Sequence, residues 1–118
     1  MKINIKPLSI NKAWKGRRYK TDKYKAYEKE LLYLLPNKKQ IGNLEGPLKI
    51  DIEFGFSSSA SDFDNPIKPL IDILQKKYHF NDNQIYEANI KKVIVDKGDE
   101  YLMFDIRQTR QNKTSMTT

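Results

Sequence analysis

The spacing of apolar positions divides the chain into a small set of elements. Ile3 and Ile5 alternate with polar neighbours across Lys2–Lys6, the period of a half-buried strand, and Pro7 ends it. Residues 8–20 are basic, carry Trp14 and Tyr19, and are interrupted by Gly16, which reads as a loop or arm. Tyr24, Tyr27, Leu31 and Leu34 recur at helical spacing, with Thr21 or Asp22 as N-cap and Pro36-Asn37 as the stop. The residues from there to Gly46 read as a turn-rich connection. Leu48, Ile50, Ile52, Phe54 and Phe56 alternate with Lys49, Asp51, Glu53 and Gly55, the clearest strand in the chain. Residues 57–61, Ser-Ser-Ser-Ala-Ser, form a small-residue loop without a packing role. Asn65-Pro66 pairs a capping residue with proline at the first helical position, ahead of the stripe Ile67, Leu70, Ile71 and Leu74. After the turn Asn81-Asp82-Asn83 comes a strand over 84–95, whose imperfect alternation implies a bend or bulge. A hairpin turn around Gly98 leads to a last strand with Leu102, Phe104 and Ile106 aligned.

The resulting order is β-α-β-α-β-β. A chain of 118 residues holds one domain of this kind. The expected architecture is α+β: a single domain over 1–107, with two helices packed on one four-stranded mixed sheet. Residues 108–118 are polar and Thr-rich and are expected to be a disordered tail.

Charge changes this picture. The chain carries a net +7, but residues 1–40 hold twelve basic groups against three acidic ones, while residues 41–118 hold ten against twelve. A basic arm ahead of an acid-bearing body fits a nucleic-acid partner, although a solvated charged face has the same composition. The chain has no cysteine and one histidine, so thiol catalysis, disulfides and multi-histidine metal sites are excluded. No stretch approaches the ~18 apolar residues of a membrane helix, and the N-terminus lacks the apolar run of a signal peptide, so a cytoplasmic location is expected.

Any catalysis must then come from carboxylates, Lys, Arg, Ser or Tyr. Asp62 and Asp64 flank Phe63 just ahead of a helix start. In extended backbone, residues two apart point the same way, so these two carboxylates would meet on one side of the chain. Two like charges that close need a cation between them, and Mg²⁺ prefers carboxylate oxygen. The alternative is ordinary helix capping by Asp. Lys68 stands four residues beyond Asp64 and four before Asp72, so it can form a surface pair or offset the acidic motif. Asp82 is either a turn residue or a third carboxylate, the latter through an antiparallel-type return toward the helix start that requires its strand to lie beside Leu48–Phe56. Glu53, on the polar face of its strand, and His79, at a helix end, are weaker candidates. Trp14, Tyr19 and Tyr24 either stack on bases or cover the core, and for the helix tyrosines core packing is the expectation.

The run Asp62-Phe63-Asp64-Asn65-Pro66-Ile67-Lys68, then Asp72, then Asn81-Asp82-Asn83-Gln84-Ile85, resembles the RusA family of Holliday junction resolvases, with its D-x-D-N-x-x-K and D-x-Q-[IV] patterns. Pro7-Leu8-Ser9-Ile10-Asn11-Lys12-Ala13-Trp14 is similar to that family's P-x-S-x-N-x-x-[WY] opening. Lys92 and the Lys97-Gly98 turn fit as well, so the likeness spans about residues 5–107. One departure is Asn81, where some members have a second Asp. The resemblance implies a homodimeric, Mg²⁺-dependent endonuclease, with Mn²⁺ as a substitute and no organic cofactor, of a kind often carried by phages. Such enzymes resolve four-way DNA junctions by paired nicks in recombination and repair.

By the same resemblance Asp62, Asp64 and Asp82 are the metal-binding catalytic carboxylates and Lys68 a catalytic lysine, with Asn65 and Asp72 in support. Asn11, Lys12, Trp14, Lys15, Arg17, Arg18 and Lys20 in the arm would then contact DNA. Two other readings remain at this level: a non-catalytic basic DNA-binding module, and a nuclease for other branched DNA or for RNA.

Overall fold

The computed structural model describes residues 2–8, 14–15, 19–61 and 64–109, with the backbone alone for 14, 15 and 19. The elements are β1 (Lys2–Ile3), β2 (Trp14–Lys15), β3 (Tyr19–Lys20), α1 (Asp22–Leu34), α2 (Lys38–Ile41), β4 (Leu48–Phe56), α3 (Ile67–Tyr78), β5 (Ile85–Ile94) and β6 (Tyr101–Gln108). Four strands form one mixed sheet in the order β1-β6-β4-β5, with β4 antiparallel to β6 and parallel to β5. The expected α+β architecture holds. Two features go beyond it: β2 and β3 pair as a short antiparallel ribbon inside the basic arm, and α2 occupies the connection expected to be turns. β6 runs through Gln108, and the Thr109 N–H donates to the Pro47 carbonyl (2.9 Å), so the ordered fold enters the stretch expected as tail.

The alternation in β4 is what builds the core. Leu48, Ile50, Ile52, Phe54 and Phe56 are all buried on the face covered by the helices. On the other face Gly55 has a specific cause. A Cβ there would overlap the Tyr101 ring, which lies across it and donates its hydroxyl to Glu53 (2.6 Å). The expected irregularity in the fifth strand is a bulge: Leu48 pairs with Ile85 and Lys49 with Glu87, leaving Tyr86 as the extra residue.

Thr21 caps α1 as expected, its hydroxyl accepting from the Tyr24 N–H (3.1 Å). Tyr24, Tyr27 and Leu31 are buried, but Leu34 is 40% exposed. The helix ends at Leu34, and the extended backbone of Leu35 turns that side chain into the core instead. α3 begins at Ile67, with Pro66 in the cap position, so the expected cap by Asn65 is not the one that starts it. Its buried arc is wider than the predicted stripe, adding Pro69, Ile73 and Tyr78, because α3 packs against α1 and α2 as well as the core of the sheet, where Tyr78 meets Phe104. His79 closes α3 in the left-handed conformation (φ 58°), the helix-end position expected for it.

α1 and α3 run side by side in the same sense. Lys76 on α3 meets Glu28 on α1 (3.1 Å), Lys77 donates to the Leu32 carbonyl (3.2 Å), and Tyr78 donates to the Pro36 carbonyl (2.7 Å). Glu28 also binds Lys20 (2.9 Å). Burial raises the Glu28 carboxyl, but hydrogen bonds and charge from the two lysines outweigh it and hold the group below its ordinary value. A depressed carboxylate stabilises the fold above its unfolded pKa near 4.5, and that contribution disappears as pH falls through the folded value. Glu28→Gln is therefore expected to lose about 1 kcal/mol at neutral pH, after discounting for screening. Its stability should converge with wild type as pH falls below 4.5 and through the folded value in denaturant titrations.

Candidate metal and nucleic-acid site

One end of the molecule gathers much of the predicted chemistry. β4 ends at Phe56, and the chain turns through residues 57–61 toward the acidic motif and α3. Asp64 is exposed in the turn before α3, its carbonyl accepting from the Ile67 N–H (3.1 Å). Lys68 follows on the first turn of α3 and pairs with Asp72 (3.3 Å), the i,i+4 geometry expected from spacing. Asn65 is half-buried and lines a cavity of about 780 Å³ with Lys6, Lys23, Tyr27, Ser58 and Ser61. Since α1 starts beside the start of α3, the basic arm leads into this same end.

Asp62, Phe63, Asn11, Lys12, Arg17 and Arg18 lie outside the described residues, and Trp14 and Lys15 are described by backbone alone. Lys20 is described fully. Its ammonium binds Glu28 and stands 4.8 Å from the centre of the Tyr24 ring, so that charge is already engaged inside the fold. Tyr24 is buried as expected, and its phenol is pushed up to about 12 by burial first, then by the charges of Asp72 and Glu28. Asp72 therefore sits near both Lys68 and Tyr24.

Asp82 is elsewhere. Its strand does lie beside β4, the condition for joining the other aspartates, but the pairing is parallel. A parallel neighbour reached through α3 starts at the same end as β4, so Asp82 stands near Leu48 while Asp64 follows the far end. Two glutamines fix it there. The Asp82 N–H donates to Gln75 Oε1 (2.8 Å), and Gln84 Nε2 donates to the carbonyls of Leu44 (2.9 Å) and Gly46 (3.0 Å). Asn81 and Gln84 complete a capping box around the turn. Gln75 is more than two turns beyond Ile67, about 12 Å along the helix axis. Oxygens sharing one Mg²⁺ at about 2.0–2.1 Å lie within ~4 Å of one another. Asp64 and Asp82 of one chain are thus too far apart to share an ion.

The donor chemistry nevertheless suits a hard cation. Asp64 and Asp82 are exposed carboxylates, and among the described residues neither is in an ion pair. Among the described residues of one chain, no three potential ligands come together.

Sequence reasoning assigned no role to two of the groups that position this site. Gln75 holds the Asp82 turn. Lys92 on β5 donates to the carbonyls of Ser59 (2.7 Å) and Ser61, holding the loop ahead of the acidic motif. Lys92 had a signal in the chain: it falls at the inward parity of β5, in register with buried Phe54.

The fold and its surface define a small α+β domain with exposed carboxylates at Asp64 and Asp82 and a basic N-terminal segment in its sequence. The family comparison makes this specific. The family model of endodeoxyribonuclease RusA matches residues 6–101, which include both acidic motifs and the arm. The chain belongs to the RusA endodeoxyribonuclease family. No curated protein matches it individually. Among the described residues, no helix is long and apolar enough to cross a membrane.

Proposed function

We propose that the chain is a Mg²⁺-dependent, structure-selective endodeoxyribonuclease that resolves four-way DNA junctions by paired nicks, acting as a homodimer in DNA recombination and repair in the cytoplasm. The observation that supports this most is the coincidence of the family match with the gathering of Asp64, Lys68 and the start of α1, which directly follows the basic segment in sequence, at one end of the fold. Asp62, Asp64 and Asp82 would hold the ion. When bound, Mg²⁺ would supply Lewis-acid stabilisation of phosphate charge and a water of lowered pKa. Lys68 would turn from Asp72 to the phosphate, a short move for an exposed lysine, and oppose the charge that builds there. The arm would hold the DNA backbones, with counterion release contributing to affinity.

The placement of Asp82 favours a site shared between two chains. In an isologous dimer, if Asp82 of one chain reaches the acidic motif of the other, the reverse contact follows by symmetry. Two equivalent sites then face a substrate that can itself be two-fold symmetric. β5 is an edge strand with Tyr86 and Ile94 exposed. Antiparallel pairing of β5 with its copy would bring the Asp82 end of each chain to the loop 57–64 of the other.

A non-catalytic DNA-binding module accounts for the arm but not for the exposed Asp64 and Asp82, in no ion pair among the described residues, since beside a polyanion each opposes binding unless a cation screens it. The direct test is a synthetic four-way junction incubated with the protein, with and without Mg²⁺. Symmetric nicked duplex products in Mg²⁺ alone are expected. A junction left intact while linear duplex, flap or RNA is cut would move the activity to another substrate.

A further inference from the structure

Lys92 is a lysine on the wrong face of its strand. In the register of β4 and β5, Ala88 stands beside Ile50, Ile90 beside Ile52, Lys92 beside Phe54 and Ile94 beside Phe56, and those β4 residues are all buried. Residues in parallel register share a face, so Lys92 rises from the core side of the sheet. Its stem passes the Phe56 ring, with Nζ 5.9 Å from the ring centre. The ammonium donates to the Ser59 carbonyl (2.7 Å) and, at still closer range, to the Ser61 carbonyl. Among the described residues it has no carboxylate partner.

Both carbonyls belong to the loop between β4 and the acidic motif. That loop has other ties. The Phe56 carbonyl accepts from the Val95 N–H (2.7 Å), Ser57 Oγ donates to Glu100 (2.8 Å), and the Ser61 N–H closes a turn on the Ser58 carbonyl (3.2 Å). The first two hold the start of the loop, and the third is internal to it. Among the described residues, Lys92 alone ties its end to the sheet, at Ser61, three residues before Asp64. A charge-assisted donor shared by two backbone carbonyls is a stronger tie than a neutral one.

We propose that Lys92 is a positioning residue: by clamping the Ser59 and Ser61 carbonyls it sets how the chain enters the turn that carries Asp64, and so tunes the affinity of that carboxylate for a divalent cation. This rests on the metal-dependent reading above. The role differs from that proposed for Lys68, which is exposed on α3 and pairs with Asp72. Lys92 acts through the loop and touches neither DNA nor ion.

The test compares wild type, Lys92→Met and Lys92→Arg in the full chain. Met keeps the stem and removes the donor, whereas Arg keeps charge and can donate to both carbonyls. Amide hydrogen exchange without metal reads the clamp. Lys92→Met should speed exchange over 57–65 while leaving β4 unchanged, and Lys92→Arg should largely restore protection. Calorimetric titration with Mn²⁺ or Mg²⁺ reads the consequence. Lys92→Met should weaken binding about tenfold or more. Its affinity for junction DNA in Ca²⁺-free EDTA buffer should stay within about twofold, since it removes no phosphate contact. Unchanged exchange over 57–65, or unchanged metal affinity despite faster exchange, overturns the proposal. So does a loss of junction binding with metal affinity intact, which would make Lys92 a phosphate contact. A wild type that takes up no divalent ion sinks the metal-dependent reading, whereas the exchange result on the metal-free chain decides the clamp separately.

Discussion

Two inactive variants, Asp64→Asn and Asp82→Asn, should regain activity when their subunits are allowed to exchange. Each homodimer would have both sites broken. In a mixed dimer with shared sites, one site takes Asp64 from the Asp82→Asn chain and Asp82 from the Asp64→Asn chain, and so is whole. The other site carries both substitutions. Random exchange makes about half the dimers mixed, so about a quarter of the wild-type number of sites returns. The product should be distinctive. A dimer with one working site nicks a junction once and does not resolve it, so single-nicked junctions should accumulate in place of paired cuts. If the three aspartates served within one chain, both chains of every mixed dimer would be broken and no nicking would return. An Asp82→Asn variant active by itself would remove Asp82 from the site altogether.

This prediction exists because of a fact the sequence could not supply. The pattern D-x-D followed by D-x-Q names the residues, but their distance depends on whether the second strand is parallel or antiparallel to the first. Hydrophobic alternation is the same for both. In the fold the strand over 85–94 pairs parallel to β4, and the parity of Leu48–Phe56 was enough to foresee the core but not that direction. What local chemistry could fix was legible. Thr21 caps α1, Tyr24 and Tyr27 pack inward, and the Lys68–Asp72 pair forms. The misses occur where a tertiary contact overrides a local rule. Leu34 fits the helical stripe, yet the helix stops there and Leu35 takes the core position. Residues 57–61 look like idle linker by composition, yet two of their carbonyls receive Lys92, whose partner lies some thirty residues away in the chain. Gln84 reads as a polar residue at a strand start. Its side chain instead ties the Asp82 turn to the segment before β4, a physical reason for glutamine two residues after that aspartate.

The largest single effect is expected at Asp64. Asp64→Asn keeps the size and hydrogen-bonding reach of the side chain and removes one negative charge. The turn it sits in closes through its backbone carbonyl, which accepts from Ile67, and among the described residues its carboxylate is in no ion pair. The side chain is exposed and outside the described ion pairs, so folding should not notice the change, and thermal stability should stay within about 0.5 kcal/mol of wild type, as for surface substitutions generally. A hard cation would notice, because a neutral amide is a weaker ligand than a carboxylate. Metal-assisted stabilisation of transition-state charge is worth several kcal/mol. At 1.36 kcal/mol per tenfold, cleavage should fall by roughly a thousandfold or more. Junction binding should move the opposite way. Asp64 opposes a polyanion when no ion screens it, so Asp64→Asn should bind the junction at least as tightly as wild type in EDTA, with the salt dependence set by the unchanged arm. Cleavage and binding measured on the same preparation separate the outcomes. Lost cleavage with retained or improved binding places Asp64 at the ion. Lost binding or a lowered melting temperature would make it part of the fold, and undiminished cleavage would end its candidacy as a ligand.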